Sequence, residues 1–311
     1  MRKKDFLLSI LVPAFNEEDS LGNLFDVLIP ILKPYNYELL LINDGSKDKT
    51  VQIIKKEAQK NKRIKLVSFA RNFGHQMALT AGYEYATGDA IISIDADLQD
   101  PPELITDMVQ KWIEGYDIVY AQRKNRNGGW FKQKSGLWFY NFINSLSEVP
   151  IPHDVGDFRL LDKKVVKILN QLPEKSRFLR GLVAWSGFPS TFIQFTRPER
   201  VAGETHYPLS KMVGLAIEGI TSFSTRPLRV ASYLGFLAAG LGVLGLFYAI
   251  ILRLFFSHEY WVTGWTGIFV AVVFFGGVQL ISIGIIGEYI GKIYKQVQQR
   301  PHFVVGETVN L

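Results

Sequence analysis

At 311 residues the chain has room for one large or two modest domains. It holds no cysteine, which excludes disulfides, thiolate metal sites and a cysteine nucleophile. Its net charge of +6 is modest, and no helix-turn-helix or finger pattern accompanies it, so nucleic acid is not an expected partner.

The N-terminal Met1-Arg2-Lys3-Lys4-Asp5 leads into a short apolar run that ends at Pro13. That run is too short for a signal peptide and lacks a small-residue cleavage site, so the first part of the chain is expected in the cytoplasm. Strand-like runs follow at 7–12, 37–42, 64–69, 90–94 and 117–121, separated by amphipathic segments near 17–32, 48–59, 74–86 and 102–114. Strands alternating with helix-length segments predict an α/β fold built of βαβ units around a mostly parallel sheet with flanking helices. Right-handed crossovers then line up the loops after the strands, 13–17, 43–46, 70–74 and 95–99, along one edge. Three of these four loops carry acidic side chains, so that edge suits a cation. No Gly-x-Gly-x-x-Gly follows the first strand and no Gly-x-x-x-x-Gly-Lys-Ser/Thr occurs, which disfavours dinucleotide and P-loop sites.

The most informative stretch is Asp95-Ala96-Asp97, directly after the apolar run 90–94. Residues two apart on an extended segment share a face, so Asp95, Asp97 and Gln99 offer oxygen ligands for a hard cation such as Mg²⁺ or Mn²⁺. The bland alternative is a solvated acidic turn before the helix start at Pro101-Pro102. With 14 Asp in the chain, chance alone supplies roughly 0.6 such triplets, so context has to carry the reading. Asp44-Gly45-Ser46 after the second strand can place a carboxylate to accept from the imide N–H of a uracil, or can be ordinary turn chemistry. Asp157 within His153-Asp154-Val155-Gly156-Asp157-Phe158-Arg159 can orient or deprotonate a nucleophile, or can simply pair with Arg159. The histidines His75, His153 and His206 are too scattered to suggest a metal site.

From 118 to 147 there is no acidic residue, while Arg123, Lys124, Arg126, Lys132 and Lys134 all fall there. That segment is either a solvated basic loop or an anion-binding arm, with a basic, aromatic-rich helix near 130–146. The polar loop 200–211 precedes an amphipathic segment at 213–223 that can lie against a bilayer. Then the solvent changes. Between Arg229 and Arg253 lie 23 uncharged residues, and between Glu259 and Glu288 lie 28. A helix of 23 residues is about 34 Å long, enough to cross a hydrocarbon core of roughly 30 Å. Arg226 and Arg229 before the first run, and Lys292, Lys295 and Arg300 after the second, put both termini in the cytoplasm. Tyr260, Trp261 and Trp265 suit the far interface.

These residues occur together in a familiar order: Pro13-Ala14-Phe15-Asn16-Glu17-Glu18, Asn43-Asp44-Gly45-Ser46, Asp95 to Pro102, and Val155-Gly156-Asp157-Phe158-Arg159-Leu160. Arg177-Phe178-Leu179-Arg180-Gly181 and Arg200-Val201-Ala202-Gly203-Glu204-Thr205 follow. With two terminal spans, the chain resembles the bacterial polyprenyl-phosphate glycosyltransferases of glycosyltransferase family 2, such as undecaprenyl-phosphate glucosyltransferases. Its first part is similar to dolichol-phosphate mannose synthase. The resemblance implies a cytoplasmic GT-A domain over 1–212, an interfacial helix or linker over 213–229, two transmembrane helices over 230–290 and a cytoplasmic tail over 291–311. It implies that Pro13, Ala14, Asn16, Glu17, Asp44 and Ser46 bind a nucleotide sugar. Asp95, Asp97 and Gln99 would hold Mg²⁺ or Mn²⁺ on its diphosphate, and Asp157 matches the catalytic aspartate. Arg123, Arg126, Arg200 and Lys211 would face the diphosphate and the lipid phosphate. His206 stands where relatives usually carry Lys, and Gly128-Gly129 replaces a more polar segment.

The activity implied is inverting transfer of a sugar, glucose by preference, from a UDP-sugar to undecaprenyl phosphate at the inner face of the cytoplasmic membrane. N-acetylglucosamine, galactose and GDP-mannose donors are the alternatives, together with a processive polysaccharide synthase and a non-catalytic membrane sensor. A processive enzyme usually carries Gln-x-x-Arg-Trp, which is absent here, the nearest analogue being 174–181. Relatives of this kind also form homo-oligomers, including tetramers.

Overall fold

A computed structural model of the protein describes residues 5–124, 152–196, 221, 224–255 and 265–311. The basic segment beyond Lys124, the loop 200–211, nearly all of the amphipathic stretch 213–223 and the aromatic pair Tyr260-Trp261 therefore lie outside the described residues.

The first half alternates as the hydrophobic pattern requires. The elements are β1 (Leu7–Ala14), α1 (Leu21–Leu32), β2 (Asn36–Asn43), α2 (Thr50–Lys60), β3 (Ile64–Phe69), α3 (His75–Tyr85), β4 (Ala90–Ser93), α4 (Leu104–Glu114) and β5 (Ile118–Arg123). Then come β6 (Val155–Asp162), α5 (Lys163–Gln171), α6 (Leu179–Trp185), β7 (Ser190–Phe195), α7 (Arg226–Phe255), α8 (Trp265–Val297) and β8 (Val305–Val309). The five expected strands and four expected helices are all present, with ends that coincide or shift by up to four residues. Segments 155–162, 190–195 and 305–309, for which the sequence pattern gave no strand, add β6, β7 and β8.

The strands form one sheet in the order β7-β5-β6-β4-β1-β2-β3-β8. Strands β1 to β4 pair in parallel with one another, and β5 with β7, whereas β6 runs antiparallel to β4 and β5 and β8 antiparallel to β3. The chain leaves β1 towards β2 and β3 on one side and returns to β4 on the other. The gap beyond the ends of β1 and β4 is thus a topological switch point, where open α/β sheets bind ligands. Because β6 runs the opposite way, its first residues, Val155 to Asp157, lie at the edge where the parallel strands finish.

Both faces of the sheet are covered, which is why its strands read as nearly continuous apolar runs. The two-residue period sends Ile10, Val12, Leu39 and Leu41 against α1, α2 and α4, through Leu24, Leu28, Ile54, Ile105 and Trp112. Leu11, Leu40 and Ile42 point the other way, against Ala78 and Leu79 of α3, Val165 and Leu169 of α5, and Leu182 of α6. At the opposite edge from the switch point a buried carboxylate ties four segments together. Glu38 accepts from Ser9 Oγ at 2.5 Å, from Thr87 N at 2.7 Å, from Thr87 Oγ1 at 2.9 Å and from Lys65 Nζ at 2.7 Å. Burial pushes its pKa up, but those donors outweigh burial and leave it below the ordinary value.

Helices α7 and α8 behave differently. Each contains a stretch long and apolar enough to cross a membrane, Arg226–Tyr248 with mean hydropathy 1.9 and Gly267–Val297 with mean hydropathy 2.4. Almost none of either stretch is covered by the rest of the fold: 11% and 0% of the most apolar windows are buried. A soluble core helix would hide its apolar residues, whereas Phe236, Leu244, Phe269 and Leu280 stand more than half exposed. Helix α8 runs on to Val297, past the expected start of the tail at 291, and the tail then returns to the sheet as β8.

Candidate active site

Four strand ends and the loops after them make a cleft of about 280 Å³ at the switch point, with Pro13, Ala14, Asp44, His75, Asp95 and Asp97 on its walls. Phe15, 44% exposed, and Glu17 also line it. Strand β1 delivers Pro13 and Ala14, β2 delivers Asp44, and the residues after β4 deliver Asp95 and Asp97.

Asp44 is buried, and its carboxylate is fixed by the next loop: Phe73 N donates to Oδ1 at 2.6 Å and Gly74 N to Oδ2 at 2.9 Å. Burial pushes the Asp44 pKa up, and the two backbone donors offset only part of that rise. Gly45 permits the approach of the two loops. Its φ is +72°, and a Cβ there would stand 2.4 Å from the Arg71 carbonyl carbon, so no other residue fits without moving backbone. Asn16 and Ser46 do not reach the cleft wall. They join the first two loops instead, with Asn16 N donating to Ser46 Oγ at 2.9 Å and Lys47 N to Asn16 Oδ1 at 2.9 Å.

Asp95 sits among acids. Burial pushes its carboxyl up, and the carboxylates of Asp157, Asp100 and Asp97 add to the rise against the opposing His75. Such a site favours a cation, because a divalent charge relieves both the desolvation and the mutual repulsion. Among the described residues no three His, Asp or Glu side chains converge as a closed metal cage. Open carboxylate sites of this sort suit Mg²⁺ or Mn²⁺ that completes its shell with water or phosphate. Gln99 is not on the cleft wall; its backbone N donates to Asp97 Oδ1 at 3.1 Å.

Asp157 is 6% exposed and stands where β6 passes the end of β4. Two guanidiniums and an imidazole meet it. The fully buried Arg159 donates through Nη2 to its Oδ1, Arg180 Nη2 reaches Oδ2 at 3.0 Å, and His75 Nε2 lies 3.4 Å from Oδ2. Burial pushes the carboxyl up, but His75 and the two guanidiniums hold it well below the ordinary carboxylate range. Pairing with Arg159 and a place beside the cleft thus hold together. His75 also approaches Asp95 Oδ1 at 3.8 Å, and although burial pulls its pKa down, Asp157 and Asp95 hold it above the ordinary imidazole value. Arg123 lies at the same edge, its Nη2 3.3 Å from Asp100 Oδ1. Arg126, Arg200 and Lys211 lie outside the described residues.

Sequence reading missed His75, Gln76 and Arg180. Gln76 accepts from Leu179 N at 3.1 Å and points its amide at Asp157, so it joins α3 to α6 beside the acid. The available signal was position: His75 and Gln76 open the helix after the 70–74 loop, one of the four loops on the ligand-binding edge.

The glycosyl transferase family 2 model matches residues 9–169. The chain is 46% identical over 306 residues to the uncharacterized glycosyltransferase YkcC of Bacillus subtilis, covering 97% of this chain and 94% of that one. It is 43% identical over 301 residues to the SfII prophage-derived bactoprenol glucosyl transferase of Shigella flexneri, covering 96% and 97% respectively. Among solved structures, glucosyl-3-phosphoglycerate synthase from Mycobacterium tuberculosis in complex with Mn²⁺, UDP-glucose and phosphoglyceric acid aligns with TM-score 0.46 at 17% identity, over 70% of this chain and 78% of that one. The matched region runs from β1 to α5 and so includes the cleft, the acidic triplet and Asp157; the chain belongs to glycosyltransferase family 2.

Proposed function

We propose that the protein transfers glucose from UDP-glucose to a polyprenyl phosphate at the cytoplasmic face of the membrane, with inversion at the anomeric carbon. The observation that carries this reading is the convergence of Asp44, Asp95 and Asp97 on one cleft beside a buried, ionised Asp157, in a chain with two exposed membrane-length helices. The near-full-length likeness to a bactoprenol glucosyl transferase supports both the sugar and the acceptor.

The residues divide the work as follows. Asp44, its oxygens fixed by the 73 and 74 amides, accepts from the uracil imide, while Pro13, Ala14 and Glu17 form the adjoining wall. Asn16 and Ser46 hold that wall's loops in register rather than touching the nucleotide. Asp95 and Asp97 would hold a divalent metal, which supplies charge neutralisation on the departing diphosphate. Asp157 is a poor proton acceptor because His75 and two guanidiniums stabilise its ionised form. The acceptor phosphate is already anionic near neutral pH and needs no strong base. Asp157 therefore acts by orientation: it keeps Arg180 and His75 in place at the point where two anions must approach, so that positioning and charge compensation lower the barrier. Arg180, its side chain 37% exposed, is the cation of the set best able to meet an incoming phosphate. Arg123 stands at the same edge, paired with Asp100, and the positive-inside bias orients the spans.

The test is release of UDP by membranes containing the protein. Release from UDP-glucose that requires added undecaprenyl phosphate and a divalent metal is the expected result. Release that ignores the lipid would overturn the acceptor, and no release under any condition would favour a nucleotide-binding sensor.

A further inference from the structure

The C-terminal segment reaches the nucleotide cleft through a chain of aromatic contacts. Six residues after α8 ends at Val297, Phe303 stacks on Phe69 at the end of β3, with ring centroids 4.9 Å apart and planes 13° from parallel. Phe69 in turn meets Phe73 edge-on at 5.7 Å and 87°, and the Arg71 guanidinium covers Phe73 at 3.9 Å. Phe73 is the residue whose amide fixes Asp44. The backbone runs in parallel with the rings: Ala70 N donates to Val304 O at 2.9 Å, at the start of the same loop.

The segment is anchored on both sides of Phe303. Downstream, β8 pairs with β3 from Leu66–Val309 to Phe69–Val305, Lys55 binds Glu307 at 2.6 Å, and Asn310 donates to the Ala58 and Ile64 carbonyls at 2.9 Å each. Upstream, the end of α8 is tied to the catalytic domain: Gln296 accepts from Lys175 N at 2.9 Å and donates to Pro173 O at 2.8 Å. The fold of the sheet does not require this contact, since the nucleotide-binding strands β1, β2 and β4 already have their partners without β8. What β8 and Phe303 add is a fixed back wall for the 70–74 loop.

We infer that Phe303 is a positioning residue for the donor nucleotide, acting through Phe69 and Phe73 on the amides that hold Asp44. The inference rests on the assignment of Asp44 to the nucleotide. Without the Phe303 ring, the 70–74 loop can drift from Asp44, whose carboxylate then loses its set direction. Asp157 is fixed instead by Arg159, Arg180 and His75.

Phe303→Ala, made in the full chain in membranes or detergent, is expected to weaken UDP binding measured by calorimetry about three- to tenfold. The KM for UDP-glucose should rise by a similar factor, while the KM for undecaprenyl phosphate and kcat stay within about twofold. Phe303→Tyr, which keeps the ring, should restore binding, and Phe303→Leu, which keeps apolar volume without stacking, should not. The Leu and Tyr pair decides the matter even if the Ala variant fails to fold. Leu and Tyr variants that both bind UDP like the parent, whatever their melting temperatures, would overturn the inference. Asp44→Asn separates the two claims. If it weakens UDP binding while the Phe303 variants do not, the inference alone fails; if it leaves UDP binding unchanged, the nucleotide assignment of Asp44 fails first.

Discussion

Asp157 and Asp44 are both buried acids, yet their surroundings push them in opposite directions, and that contrast sets their roles. Two guanidiniums and His75 outweigh burial at Asp157 and hold it ionised; at Asp44 burial outweighs the Phe73 and Gly74 amides and the more distant His75 and Arg71, and holds the carboxyl above its ordinary value. Asp157→Asn keeps the side-chain shape and still accepts from Arg159, but releases the charge that gathers His75 and Arg180. Turnover is expected to fall by about 10²- to 10³-fold, with UDP affinity by calorimetry within about twofold. Loss of both together would contradict the assigned role. For Asp44 the sign is clear. Only the ionised form accepts the imide proton on either oxygen, and a raised pKa means protonation begins at a higher pH than for an ordinary carboxyl. Uridine, which has no diphosphate and so avoids the metal, should therefore bind progressively more weakly as pH falls towards the carboxylate range. Asp44→Asn should bind weakly at every pH, and a parent curve that stays flat down to the usual carboxylate range would count against the assignment. Sequence alone located both acids. It could not show that Asp157 meets two guanidiniums and an imidazole, because His75, Arg159 and Arg180 come from three separate elements.

At the scale of elements, legibility followed burial pattern. Strands β1 to β5 were readable because each is apolar and bounded by turns. Strand β6 was not, because it buries Asp157 and Arg159 side by side; a mutually neutralised pair defeats the expectation that charged residues lie outside. Strand β7 alternates exposed and half-buried residues at the sheet's end, and β8 is five residues long, so neither carries much signal. Glu38 shows the same principle in a place remote from the cleft. Glu38→Gln is expected to cost about 2 kcal/mol by removing charge-assisted bonds to Lys65 and Thr87. Its folded pKa lies below the unfolded one, so its contribution is complete above the unfolded carboxyl's value and is lost as pH falls through the lowered folded value. Thermal melts in detergent should show the parent losing its advantage over Glu38→Gln on acidification. A gap that widens as pH falls would contradict this.

At the scale of the whole molecule, the chain joins an α/β sheet covered on both faces to two helices whose apolar surface the other described residues leave almost wholly uncovered. Length and lack of charge were enough to read two membrane-length apolar helices from sequence; the return of the tail to β3 was not, since a pairing between residues more than 230 positions apart leaves no local pattern. The protein should remain with membranes after a high-salt or alkaline carbonate wash and leave them only with detergent. Release by salt alone would mean that α7 and α8 do not cross the bilayer. The cleft lies at the carboxyl edge of the sheet, and the proposed activity is that it places glucose on a lipid phosphate. Incubating membranes that hold the protein with undecaprenyl phosphate and a panel of UDP- and GDP-sugars, then weighing the lipid product by mass spectrometry, tests it directly. The expected result is a hexosyl phospholipid from UDP-glucose that is absent with Asp157→Asn. A product formed only from GDP-mannose, or no lipid product at all, would contradict it.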